Sequence, residues 1–477
     1  MGSNDNSAAF SAYCSLLRAA PDVKGSLLMA HSIDLTSGSI WRQLVRFAAP
    51  LVVSNVLQSM YNIVDMIVAG QFIGPESISA ISNAGIVMNM ITMIIVGLTS
   101  GGNILIAQYF GAKNKAGCKD CAVTLFSSSM ILGATLAAVF YVISNAVLSA
   151  LRVPVLENAT QYLQICSVGI LFIAGYNALS AMLRAAGNSR APLICIAVTT
   201  CVNIALDIIF VIVFNLGVAG TALATIIAQG ASFVVAVIIV LLNHDVFGLK
   251  LCRLYIKKDA LLGILKLGVP CAVQMSVASI SWLSVAYLIN SHGVIVSSGN
   301  GVSIKIKEFC QLFISAMSLA ASGMAAQNIG AEKYDRARKV IYTTLKITLS
   351  MAVVIIVLVE FFAPWLVRLF TSDANTADAA VLNLRVEIVG QLFYAVILVG
   401  HAFMTGAGDT WFAFLSSFIN CLLFRLPLAF VLNHFFGIIG VYLACMIAPA
   451  SSIPFVKWYE KSNRWRRSLV KVYSEVV

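Results

Sequence analysis

The sequence predicts an all-α polytopic membrane protein with twelve transmembrane helices in two pseudo-symmetric six-helix lobes. Three observations carry this: the composition, the number of long apolar runs, and an internal repeat. The 477 residues are 60% hydrophobic and only 11% charged, with a mean hydropathy of +0.92. Soluble domains rarely exceed about half apolar residues. The apolar runs reach the roughly 20 residues that a spanning helix needs. Barrel strands would be shorter and would alternate in polarity.

Twelve spans follow in order. In the first half they lie at roughly 43–68, 78–104, 119–144, 156–183, 190–214 and 217–243; in the second, at roughly 261–290, 299–327, 337–363, 379–404, 410–432 and 437–458. The domain reading is an N-terminal extension (1–34) without regular structure, an N-lobe (35–243), a polar linker (244–260), a C-lobe (261–458) and a basic tail (459–477). Met29 opens a second start, so residues 1–28 read as a dispensable extension; they have no signal-peptide pattern. Lys and Arg collect in alternate loops: Lys113, Lys115 and Lys119; Arg184 and Arg190; Lys250, Arg253, Lys257 and Lys258; Lys333, Arg336, Arg338 and Lys339. The opposite loops hold little beyond Arg152 and Arg368. This asymmetry places both termini in the cytoplasm of a multi-pass plasma-membrane protein. It also assigns the net charge of +11 to membrane topology rather than to nucleic acid. The tail, with Lys457, Lys461, Arg464, Arg466, Arg467 and Lys471, is expected to lie on anionic headgroups or in solvent.

The halves repeat. Gln108, Gly111 and Ala112 match Gln327, Gly330 and Ala331, and Pro50 matches Pro270. Ala186–Gly187 matches Ala407–Gly408, and Gly217-x-x-Gly220 matches Gly437-x-x-Gly440, each about 220 residues on. An even number of spans per repeat keeps both halves in one orientation. Such a duplication creates a central cleft able to open to either side and favours a transporter.

Span one, LVVSNVLQSMYNIVDMIVAG, carries Asn55, Gln58, Asn62 and Asp65 at steps of three, four and three, hence on one helical stripe. An acid inside a span costs at least a few kcal/mol and normally faces a cavity or a partner. For the amides, lining a cleft and stapling helices are both open readings. In span five Asn203 and Asp207 stack one turn apart. Direction of travel places Asp65, Tyr162, Asn203, Asp207 and Thr225 at one depth, in the outer half of the first six spans. Two desolvated carboxyls in one layer cannot both stay charged unaided. They require a proton, or a hard cation such as Na⁺ held by carboxylate, amide and hydroxyl oxygens; Asp65, Asn203, Asp207 and Thr225 are the candidate Na⁺ ligands. At the repeat offset the acids fall on Val285 and Pro427, so ion coupling belongs to the first half alone.

The second half instead carries Lys305, Lys307 and Glu308 in span eight and Arg425 in span eleven, read as structural pairing, Lys305 with Glu308, or snorkelling. Met60, Met66, Met88, Met90 and Met93 offer an adaptable cavity wall, with ordinary packing as the alternative. Cys118 and Cys121 form a lone C-x-x-C, read as an incidental reduced pair in a cytoplasmic loop. His401 stands alone and reads as structural. No zinc motif, G-x-S-x-G or phosphate loop supports an enzyme.

The motifs PLVVSNVLQSMYNIVD (50–65), AQYFGA (107–112), LRAAGNSRAP (183–192), NIALD (203–207), GVAGTALAT (217–225) and MTGAGDT (404–410) together resemble the multidrug and toxic compound extrusion (MATE) transporters, most closely the DinF-like prokaryotic subgroup, over residues 35–460. The resemblance implies two lobes around a V-shaped cleft. It implies efflux of bulky lipophilic, often cationic, compounds in exchange for H⁺ or Na⁺, with no prosthetic cofactor, by a monomer among membrane lipids. It implies that Asp65 is the central coupling acid, that Tyr162, Asn203, Asp207 and Thr225 complete the N-lobe site, and that Pro50, at a bend in span one, is a cleft-lining candidate with Asn55, Gln58 and Asn62. Span seven, VPCAVQMSVASISWLSVAYLIN, lacks the acid of other branches, which argues against a C-lobe coupling site. A flippase for a lipid-linked or anionic substrate is the alternative. It requires a basic cavity from Lys305, Lys307, Arg385 and Arg425.

Overall fold

The computed structural model describes residues 34–73, 75–151, 153, 155–243, 247–249 and 254–470. The N-terminal extension up to residue 33, part of the linker and residues 471–477 lie outside the described residues. Among the described residues every regular element is helical. In the first half, α1 (Ile40–Val68) runs on into a π-helical turn (Ala69–Ile73), followed by α2 (Pro75–Gly111), α3 (Lys115–Ala150) and α4 (Leu156–Ala185). Then come α5 (Arg190–Asp207, continued as a π segment Ile208–Val213) and α6 (Gly217–Leu242). The second half has α7 (Lys258–Asn290), α8 (Val294–Gly330) and α9 (Tyr334–Arg368). There α10 is a pair of segments, Ala374–Ile388 and Gln391–Gly406, bent by 50°. Next, α11 is Thr410–Phe418, a π segment Ile419–Arg425 and Leu426–Phe436; α12 is Ile438–Ile447, a short 3₁₀ turn Ala448–Ser452 and Ile453–Lys461.

Among the described residues, eleven helices are long and apolar enough to cross a membrane, and the bent α10 makes twelve. Hydropathy predicts α10 as one uninterrupted span. The break falls at Gly390, where a Cβ would stand 3.1 Å from the backbone of Met446 on α12. The Gly390 N–H turns to the Glu387 carbonyl three residues back, so the tightened turn kinks the helix. By contrast α1 passes through Pro50 as one continuous span. The Pro50 carbonyl accepts from Ser54 Oγ at 2.8 Å.

The repeat anchors are backbone devices. Gly217 and Gly437 both have φ +58°, a left-handed turn that glycine adopts without strain, and they open α6 and the last span. The lobes meet along the first two helices of each half: α2 packs on α7 and α8, and α1 on α8. At the end that bears the basic loops, the matched glycines are where the two backbones cross. A Cβ on Gly111 would stand 1.9 Å from the Gln327 carbonyl oxygen, and one on Gly330 2.0 Å from that of Gln108. The matched glutamines bridge the lobes. Gln108 Nε2 donates to the Gly406 carbonyl at 3.1 Å, and its Oε1 accepts from Leu469 N–H at 3.0 Å. Gln327 Nε2 donates to the Ala185 carbonyl at 2.7 Å, and its Oε1 accepts from Leu35 N–H at 3.2 Å.

The expected surface tail is therefore in part an inter-lobe element. Trp465 is 1% exposed and packs against Phe403 at 4.9 Å, Arg467 bridges to Asp409 at 3.0 Å, and Val470 joins the N-lobe core. The buried apolar side chains of Trp465 and Val470 outweigh the surrounding charge, which composition alone conceals. Trp465→Ala is expected to cost about 3 kcal/mol and lower the melting temperature in detergent. An unchanged melt would make the tail peripheral. The C-x-x-C also differs from expectation: Cys118 and Cys121 sit in the first turns of α3, buried in the N-lobe core and unbonded to each other.

Candidate functional site

The N-lobe encloses a cavity of about 640 Å³ between α1, α2, α4, α5 and α6, with Leu319 of α8 its one contribution from the other lobe. The span-one stripe forms one wall. Asn55, Gln58, Asn62 and Asp65 all face it, joined by Ser54 and Tyr61, which the stripe argument does not single out. Tyr162 of α4 and Thr225 of α6 line it as well. Pro50 is not among the lining residues. Of the five methionines, Met88 lines the cavity, Met60 and Met90 are exposed elsewhere, and Met93 takes a contact from Ser279 of α7. The Met66 side chain lies outside the described residues.

Asp207 and Asn203 stand behind the cavity wall rather than on it, both fully buried where α5 packs on α1. The Asp65 and Asp207 carboxyls are in interaction range of each other. Tyr61 adjoins Thr225 and both acids, and Tyr162 meets the Cys166 thiol beside Asp65. The structure thus brings Asp65, Asp207, Tyr162 and Thr225 into one cluster. Asn203 sits one turn below Asp207.

The donor set is under-satisfied. Asp65 Oδ1, both Asp207 oxygens and both amide atoms of Asn203 are buried without hydrogen-bond partners. Buried polar atoms without partners are rare and costly. An acid pair of this kind accommodates a shared proton or a small hard cation. Among the described residues no trio of His, Cys, Asp or Glu side chains converges as a site for a softer metal. The backbone adds a second mark: each acid is followed within a few residues by a π-helical turn, a feature frequent at functional sites.

Among the described residues Arg184 is the one cation that lines the cavity, hydrogen-bonded to Ser180. The four basic residues of the flippase reading do not converge on a pocket. Lys305 pairs with Glu308 at 3.1 Å and Arg385 with Glu360 at 3.6 Å, both on the surface. Lys307 is buried against Glu387 of α10, a partner that sequence spacing does not reveal. Arg425 lies over the Trp282 ring at 4.6 Å. His401 Nδ1 lies 3.1 Å from Gln274 Nε2, which also donates to Ser417.

A family model described as MatE matches residues 50–209 and 270–431, once in each lobe. The chain belongs to the MATE family of transporters. It is accordingly a multi-pass membrane transporter and not an enzyme. Among MATE relatives it is 29% identical over 432 residues to the probable multidrug resistance protein YoeA of Bacillus subtilis (strain 168), covering 88% of this chain and 93% of that one. It is 28% identical to the probable multidrug resistance protein YpnP of the same strain, covering 93% and 99%. A MATE transporter solved in the straight conformation superimposes with a TM-score of 0.86 over 91% of this chain and 98% of its own, at 21% identity, a likeness of fold.

Proposed function

We propose that this MATE transporter is a multidrug efflux antiporter that exports lipophilic, cationic compounds in exchange for H⁺ or Na⁺ by alternating access. One observation carries the reading: of the under-satisfied Asp65–Asp207 pair, Asp65 lines a cavity in the N-lobe that amides and hydroxyls also line, and Asp207 stands directly behind it. An ion taken up there neutralises the acids. A cationic substrate then loses its counter-charge, and α1 repacks against α5. The coupling is the difference in affinity of each ligand for the two states. Tyr162, Thr225 and Asn203 supply the remaining oxygens, and Asn55, Gln58 and Asn62 keep the path polar. In this reading the N-lobe (35–243) couples, the C-lobe (261–458) completes the cleft, and the basic end faces the cytoplasm of a plasma-membrane monomer.

The test is reconstitution in proteoliposomes with a pH gradient or a Na⁺ gradient imposed separately, following ethidium efflux. One of the two gradients should drive accumulation against the dye gradient. Efflux that ignores both would end the antiport reading.

A further inference from the structure

Residue Arg425 has no role in the N-lobe mechanism, yet its placement is unusual. It is the last residue of the π segment Ile419–Arg425 in α11, the helix that repeats α5. In α5 the π segment begins directly after Asp207. The offset of about 220 residues sets Asp207 against Pro427, two residues from Arg425. The two lobes therefore carry opposite charges at nearly the same place in the repeat, each beside a distorted turn.

The guanidinium is 6% exposed, and its Nε and Nη1 have no hydrogen-bond partner. Trp282 covers it at 4.6 Å. An aromatic face stabilises the cation but offers no acceptor in the plane of its N–H groups. The nearby carboxylate is already engaged: Glu387 is ion-paired to Lys307. Val386 and Leu426, the sequence neighbours of Glu387 and Arg425, pack on one apolar cluster, which sets the Lys307–Glu387 pair and Arg425 in one buried region. The cluster therefore holds two cations and one anion in a low-dielectric interior. Desolvated charge of one sign is costly unless a counter-ion accompanies it. Guanidinium N–H groups match halides and carboxylates, and a planar fork can take a carboxylate two-pronged.

We propose that the C-lobe binds a monovalent anion at Arg425, between α7 and α11, supplied as a free halide or as the carboxylate of a transported molecule. The N-lobe then handles positive charge and the C-lobe negative charge. This proposal is independent of ion coupling at Asp65, and either can fail without the other.

Trp282 provides the readout. Iodide is titrated into the purified full-length protein at constant ionic strength, and the Trp282 signal is isolated as the difference between wild type and Trp282→Phe. Saturable quenching is expected, with the half-point moved at least tenfold in Arg425→Gln and largely restored in Arg425→Lys. Competition by chloride but not benzoate identifies a halide site, whereas competition by benzoate identifies a carboxylate site. Quenching that rises linearly, or that is the same in Arg425→Gln, overturns the proposal. Because Arg425→Gln removes an uncompensated buried charge, the variant is expected to fold, which a thermal melt checks.

Discussion

Replacing Asp65 by Asn is expected to abolish ion-driven efflux while leaving the protein folded. The amide has the shape of the protonated acid but neither releases a proton nor completes a cation site. The site is then fixed in its neutralised form, so the affinity difference that links ion to substrate vanishes. Dye transport under a pH or Na⁺ gradient should fall on the order of a hundredfold, and the residual rate should not vary with either ion. The melt should be unchanged or raised, because Asp65 and Asp207 no longer compete for one desolvated layer. Asp65→Glu is the companion variant: it keeps the charge, displaces it by one methylene, and should retain a reduced but ion-dependent rate. Normal gradient-driven accumulation by the Asn variant would remove Asp65 from the mechanism.

The second large effect is expected at the lobe crossing. In Gly111→Ala the added Cβ meets the Gln327 carbonyl oxygen at 1.9 Å, and in Gly330→Ala it meets that of Gln108 at 2.0 Å. Both obstacles are helix backbone, which cannot swing aside as a side chain can. Relieving such a clash costs about 1–3 kcal/mol, and the cost falls only on the state in which the basic end is closed. Each variant should lose at least about tenfold in transport and favour separation of the lobes at that end. A thiol placed at Ala326 of α8, which is fully buried against the N-lobe core, should become reactive to a bulky maleimide. Full transport with unchanged labelling in both variants would show that the helices slide past one another freely.

Much of this arrangement is legible in the sequence, and what is not has identifiable causes. Apolar runs and the repeat give the twelve spans, because hydrocarbon thickness sets their length. Helical phase alone puts Asn55, Gln58, Asn62 and Asp65 on one cavity wall. Span direction alone gathers Asp65, Tyr162, Asp207 and Thr225 at one depth. Phase does not say which helix a face meets, so the sequence does not tell that Asn203 and Asp207 lie behind the cavity wall rather than on it. Hydropathy averages over a window, so the 50° bend in α10 passes unseen. The ion pair of Lys307 with Glu387 spans 80 residues, and neither residue type nor spacing reveals it. In the tail, two buried apolar side chains, Trp465 and Val470, carry the packing among many charges, so a compositional reading assigns it to the surface.

The paired glutamines have a consequence for the amount of work the transporter must do. Gln108 and Gln327 make four hydrogen bonds at one end, three directly between the lobes and one, to Leu469, through the tail that packs on the C-lobe. Parting the lobes there must release them together, since each Gln is anchored both to a helix end and to a segment flanking the spans, at Leu469 or Leu35. At about 1 kcal/mol net for each bond, the set holds the open form down by about a thousandfold. A ligand that drives the turnover therefore has to prefer the open form by about that factor. Tight binding alone does not suffice, and compounds that fit both forms equally well should occupy the protein without being carried.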